Sequence, residues 1–252
     1  MKIGIPKEIK NGETRVSLLP KAVASLTQQG HQVYVQKGAG HLIGISDEDY
    51  QKKGARLLPS LEKIYEKSQL IVKVKEPQKQ EYKYFRENLK IFGFFHLAAN
   101  PYLKKQLLKT KITALAYETL QNKKGETPLL KPMSQIAGRL SISLGDRFLQ
   151  SHEGGKGLLL SSLGKTPGAN VLVLGGGNVG QAAAELAYAM GAKVKILDLY
   201  PQKLKNWSKT FKKIKIFRSS PSQIKKQLTK SDLVIGAVHQ AGKKTSRLIT
   251  RS

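Results

Sequence analysis

A glycine-rich turn between two apolar segments constrains the fold of this chain more than any other feature. It lies in the stretch NVLVLGGGNVGQAAAELAYAMGAKVKILDLY. A strand predicted over 171–174 runs into glycines in G-x-G-x-x-G spacing, an alanine-rich helix follows, and a second strand ends at Asp198. This order of strand, glycine turn, helix, strand and acid is typical of dinucleotide-binding α/β folds.

Each glycine of the turn has a different physical task. The first permits a tight turn, the second lets a diphosphate approach the backbone, and the third lets the helix pack closely on the strand. The N–H groups that open the helix can then hold the diphosphate. The cofactor-binding residues predicted here are Gly175, Gly177, Asn178, Val179 and Gly180.

Asp198 indicates which dinucleotide is bound. It lies 18 residues after Gly180, at the end of the second strand. A carboxylate at this position accepts hydrogen bonds from both ribose hydroxyls and repels a 2′-phosphate. The sequence therefore predicts NAD rather than NADP.

Composition limits the class of protein. The chain has 252 residues, of which 40% are hydrophobic, and it has no cysteine. The absence of cysteine excludes disulfides and thiolate metal sites and fits a reducing cytosol. No apolar run reaches the length of a signal peptide or a membrane span. We therefore expect a cytoplasmic protein with no membrane partner and no metal site.

The net charge of the chain is unusually high. Lysine and arginine number 44 against 17 acidic residues, which gives +27. The lysines are scattered as pairs, and neither a run of five like charges nor an Arg/aromatic RNA-binding motif is present. A solvated lysine-rich surface is favoured over nucleic-acid binding. A basic nucleic-acid-binding protein remains an alternative, and a salt titration against duplex DNA tests it.

Strands alternate with helices along the whole chain. Before residue 128 the predicted strands are KIGIP, HQVYVQ, LIVKVKEP, KIFGFFH and ITALAYE; beyond it they are 171–174, 193–197, 214–217 and 232–236. Such alternation predicts parallel sheets with right-handed crossovers. The predicted fold class is α/β, with two Rossmann-like parallel-sheet domains. These are a substrate domain over 1–128 and a dinucleotide-binding domain over 129–252 that is incomplete at its C-terminal end.

Polar residues follow several strands of the first domain. They are Arg15, Lys75, His96 and Glu118. Ligands of open α/β sheets bind outside the carboxyl ends of the strands. Arg15 can grip a carboxylate with two hydrogen bonds, and Lys75 and His96 can polarise or protonate a carbonyl oxygen. Together they suit a small 2-oxo acid, although each alone also fits a structural or solvated role. Lys73 is expected to be a surface lysine.

Several segments of the chain resemble a known family. They are MKIGIPKEIKNGETRVSLLP, GAG at 38–40, KVKEP, FFHLAAN, AYET, PLLKPMSQIAGRLS, GGKGLLL and VLGGGNVG. These motifs are similar to those of alanine dehydrogenase, in the alanine dehydrogenase and transhydrogenase alpha-subunit superfamily. The resemblance extends from Met1 to about Thr250.

The resemblance implies an enzyme that reversibly deaminates L-alanine to pyruvate and ammonia with NAD. It implies that Arg15 and Lys75 bind pyruvate and that His96 acts as acid/base, a task that Lys75 shares. It also implies a homo-oligomer, which is a hexamer in the full-length family. The positions that match cofactor-binding positions of the family, besides the glycines, are Ser134, Asp198, Lys203 and Ser220.

The chain also departs from the family pattern. Family members continue well past RLIT, where their second mononucleotide half carries a catalytic aspartate. We therefore expect a truncated member, whose 252 residues alone show negligible alanine turnover. His239 and Gln240 stand where the family usually has apolar residues. An NAD(H)-binding module of the transhydrogenase alpha-subunit type remains an alternative, but Lys75 and His96 would be idle in it.

Overall fold

The chain forms two α/β units in a computed structural model that describes residues 1–238 and 247–250. The first unit is Met1–Thr127 and the second is Pro128–Ser252. His239 and Gln240 lie outside the described residues. In each unit all strand pairs are parallel. The predicted α/β class with two parallel-sheet domains is confirmed.

The first unit contains a six-stranded sheet in the order β3-β2-β1-β4-β5-β6. Its strands are β1 (Lys2–Ile5), β2 (Gln32–Gln36), β3 (Arg56–Leu58), β4 (Leu70–Val72), β5 (Lys90–Gly93) and β6 (Thr113–Ala116). Strand β1 pairs with β2 on one side and with β4 on the other. The winding direction therefore reverses between β1 and β4, and the crevice at this switch point is the usual ligand site of such sheets.

The α-helices of the first unit are α1 (Pro20–Gln28), α2 (Asp47–Gln51), α3 (Leu61–Lys67) and α4 (Pro101–Thr110). All but α1 begin at a side-chain cap. The side chains of Ser46, Ser60 and Asn100 accept backbone N–H groups at the starts of α2, α3 and α4. Strand β3 was not predicted. It has only three residues, lies at the sheet edge and contains no β-branched side chain.

The second unit contains a four-stranded sheet in the order β10-β7-β8-β9. Its strands are β7 (Asn170–Leu174), β8 (Lys193–Asp198), β9 (Lys215–Arg218) and β10 (Leu233–Gly236), and its helices are α5 (Leu130–Leu149), α6 (Asn178–Ala189), α7 (Lys205–Ser208) and α8 (Pro221–Leu228). The switch point of this sheet lies between β7 and β10. The glycine turn follows β7 and therefore opens at that point.

Two glycines let the long helix α5 approach its neighbours closely. A Cβ at Gly138 would lie 2.2 Å from the carbonyl oxygen of Val179 in α6, and one at Gly145 would lie 2.6 Å from Leu233. Helix α5 therefore packs directly on the helix that follows the glycine turn. None of the helices within the described ranges is long and apolar enough to cross a membrane.

One carboxylate joins the starts of two neighbouring strands in the second unit. Asp232 accepts hydrogen bonds from the backbone N of Asn170 at 2.9 Å and from its Nδ2 at 3.0 Å. It also accepts one from Lys156 Nζ at 3.1 Å. The backbone hydrogen bond from Asn170 is the main reason that the pKa of Asp232 lies below its ordinary value.

We expect Asp232→Ala to lower the free energy of unfolding by about 1–3 kcal/mol, because it leaves the N–H of Asn170 without its acceptor. A carboxyl whose pKa is lowered by folding stabilises the fold above its unfolded pKa, and this contribution is lost as pH falls through the folded pKa. Urea unfolding at neutral and acidic pH measures both effects. The matched control is Glu66→Ala, which removes an exposed pair with Lys63 and should change little. Equal losses in both variants would contradict this account.

Candidate functional site

The side chains predicted to bind substrate follow adjacent strands of the first unit. Arg15 follows β1 and Lys75 follows β4, so these two residues flank the switch point. His96 follows β5, and Glu118 follows β6. Because the strands are parallel, their carboxyl ends meet at one edge of the sheet. The topology therefore brings all four loops to this edge.

Several polar contacts join the loop after β1 to β4 and to the loop that follows β4. Glu8 Oε1 accepts a hydrogen bond from the backbone N of Val74 at 2.6 Å. Ser17 Oγ donates one to the carbonyl oxygen of Val72 at 2.7 Å, and Lys10 forms an ion pair with Glu76. The segment that carries Lys75 is therefore fixed to the opposite side of the crevice.

Arg15 presents a guanidinium group that already binds one carboxylate. Its Nε lies 2.7 Å from Glu13 Oε1, and its Nη2 lies 2.6 Å from Glu13 Oε2. These hydrogen bonds, with a smaller contribution from the charge of Lys75, hold the pKa of Glu13 below its ordinary value. Three of the five guanidinium N–H donors remain. Because the Arg15 side chain is 45% exposed, a substrate carboxylate can reach them.

His96 has an unusual backbone conformation for a residue other than glycine. Its φ is 49°, in the left-handed region. Glu118 accepts hydrogen bonds from the backbone N of His96 at 2.7 Å and from that of Phe95 at 3.2 Å. The imidazole stacks on Phe94 with 5.8 Å between ring centroids and is exposed to solvent. Its backbone is therefore fixed while its ring nitrogens can reach a ligand.

Lys73 is not a surface lysine, and this prediction was wrong. Its side chain is fully buried, with Nζ 3.2 Å from Glu8 Oε2 and 3.1 Å from Glu81 Oε1. Tyr65 donates a hydrogen bond to Glu81 Oε1 at 2.9 Å. Strand β4 ends at Val72. The alternation of side chains along a strand therefore does not determine which way Lys73 points. No periodicity in the sequence marks Glu8 or Glu81 as its partners.

The glycine turn of the second unit has room for a diphosphate. Gly175 adopts a φ of 101°. A Cβ added at Gly180 would lie 1.8 Å from the carbonyl oxygen of Gly175. Gly177 immediately precedes α6, is exposed, and has no atom within 4 Å of an added Cβ. Exposed backbone at a helix N-terminus is a favourable place for a diphosphate. The turn therefore fits a dinucleotide.

Asp198 holds the glycine turn through its carboxylate. Its Oδ2 accepts a hydrogen bond from the backbone N of Gly176 at 2.7 Å, and its Oδ1 accepts one from that of Tyr200 at 2.7 Å. A carboxylate has about four acceptor sites, so about two remain for ribose hydroxyls. Arg218 is the register partner of Asp198 on β9. A cationic side chain therefore lies on the strand beside the acid.

The other predicted cofactor residues lie on three different elements. Lys203 follows β8, and its Nζ lies 4.8 Å from the centroid of the Tyr200 ring. Ser220 caps α8, accepting a hydrogen bond from the backbone N of Gln223. Ser134 lies on α5, one helical turn before Gly138. Lys203 and Ser220 thus follow neighbouring strands at the edge where Asp198 lies, whereas Ser134 belongs to the helix packed on α6.

A cavity of about 610 Å³ lies elsewhere in the second unit. Its lining includes Lys193, Lys195, Lys213 and Lys215. Lys193 and Lys215 begin β8 and β9, so the cavity is at the edge opposite the glycine turn and is not the dinucleotide site. In the part of the chain that the structure describes, no three acidic or histidine side chains are grouped to hold a metal ion.

Known proteins match this chain over almost all of its length. An alanine dehydrogenase of Methanococcus maripaludis is 44% identical over 99% of this chain and 67% of its own length. A solved L-alanine dehydrogenase is 39% identical with a TM-score of 0.89, covering 99% of this chain and 69% of the other. A transhydrogenase from Sinorhizobium meliloti is 24% identical with a TM-score of 0.80 over 100% of this chain and 74% of its own, which shows the fold alone.

Family models match both units. The N-terminal domain model of alanine dehydrogenase/PNT matches residues 4–137, and the C-terminal domain model matches residues 141–252. Together they cover both the switch point between β1 and β4 and the glycine turn after β7. The chain therefore belongs to the alanine dehydrogenase/PNT family.

Proposed function

We propose that this protein is an L-alanine dehydrogenase that interconverts L-alanine and pyruvate plus ammonia with NAD. The observation that carries the proposal is that Arg15 and Lys75 follow the two strands that flank the switch point, while His96 follows the next strand. A guanidinium, an ammonium and an imidazole at one crevice match the carboxylate and carbonyl groups of a 2-oxo acid. The similarity to curated alanine dehydrogenases supports the same reaction.

Each of these side chains of the first unit contacts a different group of the substrate. Arg15 binds the substrate carboxylate with guanidinium donors that Glu13 leaves free. Lys75 donates a hydrogen bond to the carbonyl oxygen of pyruvate and stabilises the negative charge that develops there. His96 takes and returns the proton at the nitrogen or oxygen on the reacting carbon. Glu118 holds the backbone of His96 in place while the imidazole transfers the proton.

The second unit supplies the dinucleotide site. The backbone N–H groups at the start of α6 hold the diphosphate, and the free acceptor sites of Asp198 bind the adenosine ribose. Ser134, Lys203 and Ser220 complete the proposed set of contacts. A dinucleotide held there would supply the acceptor for the hydride that leaves the α-carbon of alanine.

A transhydrogenase-type NAD(H)-binding module is the less favoured alternative. Such a module needs the glycine turn and Asp198 but has no use for Lys75 and His96. Identity to the alanine dehydrogenases reaches 44%, whereas the transhydrogenase structure is 24% identical. Binding of pyruvate to the protein distinguishes the two functions, because only the dehydrogenase requires it.

We expect three substitutions in the protein at its native length to separate the substrate-binding roles. His96→Ala and Lys75→Ala should each lower kcat by about 10²–10⁴-fold while NAD binding stays unchanged. Arg15→Ala should mainly raise the KM for pyruvate, by about tenfold or more, since a carboxylate clamp acts equally on ground state and transition state. NADH absorbance during pyruvate amination measures all three.

The control for this series is Lys52→Ala, which removes an exposed lysine away from the crevice and should leave turnover unchanged. Near-normal kcat in His96→Ala would remove the acid/base role. Absence of pyruvate binding in the unaltered protein would remove the proposed function itself. The 252-residue chain is assayed in parallel.

Two glycine substitutions test the dinucleotide site. Gly177→Ala adds a methyl group in open space, so the fold should keep its stability while NAD affinity falls, because the diphosphate can no longer approach the backbone. Gly180→Ala instead forces a methyl group against the carbonyl oxygen of Gly175 and should lower the free energy of unfolding by about 1–3 kcal/mol. Thermal unfolding and calorimetric titration with NAD and NADP measure both. Unchanged NAD affinity in Gly177→Ala would contradict the assignment of the turn.

A further inference from the structure

The buried ion cluster beneath the crevice has no part in the chemistry proposed so far. It consists of Lys73, Glu8, Glu81 and Tyr65, and each of these residues is less than a tenth exposed. Burying charged groups costs several kcal/mol per ion unless each finds good partners. A hydrophobic side chain at position 73 would avoid that cost. The presence of a buried lysine at this position therefore needs a physical explanation.

The two carboxylates of the cluster have different neighbours. Glu8 places one oxygen 3.2 Å from Lys73 Nζ and uses the other to accept the backbone N–H of Val74. Glu81 places one oxygen 3.1 Å from Lys73 Nζ and uses the other to accept the backbone N–H of Gln78. Glu8 therefore holds the N–H of the residue directly before Lys75, whereas Glu81 holds the start of the next helical turn.

We propose that Glu8, oriented by the buried ammonium of Lys73, is a positioning residue that sets Lys75 for the substrate carbonyl. The inference rests on the proposed role of Lys75 in the dehydrogenase reaction. Val74 lies beyond the end of β4, so its N–H is not held by the strand ladder on that side. Glu8 holds its N–H, and the backbone N of Phe94 donates a hydrogen bond to its carbonyl oxygen at 3.1 Å. These two contacts together fix the direction in which the following residue leaves the sheet. Lys73 holds the second oxygen of Glu8, so the carboxylate cannot rotate away.

Charge balance makes the proposal testable by two isosteric variants. Lys73 faces two carboxylates, so either Glu8→Gln or Glu81→Gln leaves the ammonium with one anionic partner. In Glu8→Gln the amide either accepts from Val74 and turns its NH₂ toward Lys73, or faces Lys73 and releases Val74. In Glu81→Gln the same conflict arises at Gln78 instead. Both variants therefore remove one carboxylate from the cluster, and Glu81→Gln also changes the acceptor of the Tyr65 hydroxyl. Only Glu8→Gln disturbs the backbone N–H of Val74, the residue before Lys75.

The first experiment needs no substrate. Acetylation of lysines by acetic anhydride is followed by mass spectrometry at single residues, with exposed Lys52 as the internal reference. We expect the rate at half-buried Lys75 to rise about threefold or more in Glu8→Gln, the scale of one weakened hydrogen bond, and to stay at the unaltered value in Glu81→Gln. Equal rates of Lys75 acetylation in the two variants would overturn the proposal.

The second experiment measures kinetics in the protein at its native length. Glu8→Gln should lower kcat about tenfold, equivalent to about 1.4 kcal/mol, with NAD binding unchanged, and Glu81→Gln should leave both unaltered. A kcat that does not change in Glu8→Gln overturns the positioning role. Lack of turnover in the unaltered protein would instead refute the proposed function, while the acetylation result would still decide whether Glu8 sets Lys75.

A measurement on the unaltered protein covers the case in which Glu8→Gln does not fold. Amide hydrogen exchange at Val74 is expected to be slow, because Glu8 holds its N–H although the residue lies outside the strand. Exchange at Val74 as fast as that of an unstructured peptide would show that Glu8 does not hold it, and the proposal would fall.

Discussion

The buried ammonium of Lys73 is the interaction on which the arrangement of the first unit depends. An ion in this position is stable only with a carboxylate facing it, because a buried unpaired charge costs several kcal/mol. Glu8 follows β1, and Glu81 lies in the turn after β4. Both carboxylates therefore reach the ammonium only when β1 and β4 are paired and the loops beyond them have closed. This requirement couples the two sides of the crevice into one cooperative structure.

The two units use the same kind of sheet but build their crevices from different groups. In the first unit the loop after β1 carries Glu8, Glu13 and Arg15, so charged side chains line the switch point. In the second unit the loop after β7 carries glycines, so backbone N–H groups line it. Side chains give directional contacts to a small acid, whereas exposed backbone lets an extended diphosphate lie close to a helix. The difference in loop composition thus reflects the size and charge of the ligand proposed for each unit.

The sequence predicts the features that have a local cause. The glycine turn, the caps at Ser46 and Ser60 and the central strands follow from residue type and spacing within short windows. Strand β3 was missed because three residues at a sheet edge carry no pattern that differs from a loop. Lys73 was misplaced because its environment is set by Glu8 and Glu81, which only the folded sheet brings to it. Likewise, the pairing of Arg15 with Glu13 depends on how their shared loop turns.

The hydrogen bond between Asp198 and Gly176 has a consequence for the evolution of cofactor choice. Asp198, which we propose to discriminate against a 2′-phosphate, also accepts the N–H of Gly176 in the glycine turn, so it cannot be exchanged for the first purpose alone. Replacing it with a small or basic residue would free the N–H of Gly176 and loosen the turn that every dinucleotide needs. A lineage moving toward NADP would therefore have to keep a hydrogen-bond acceptor at this position and gain its phosphate affinity elsewhere. Arg218 is the register neighbour of Asp198, and its guanidinium is a cationic group that could contribute affinity for the phosphate.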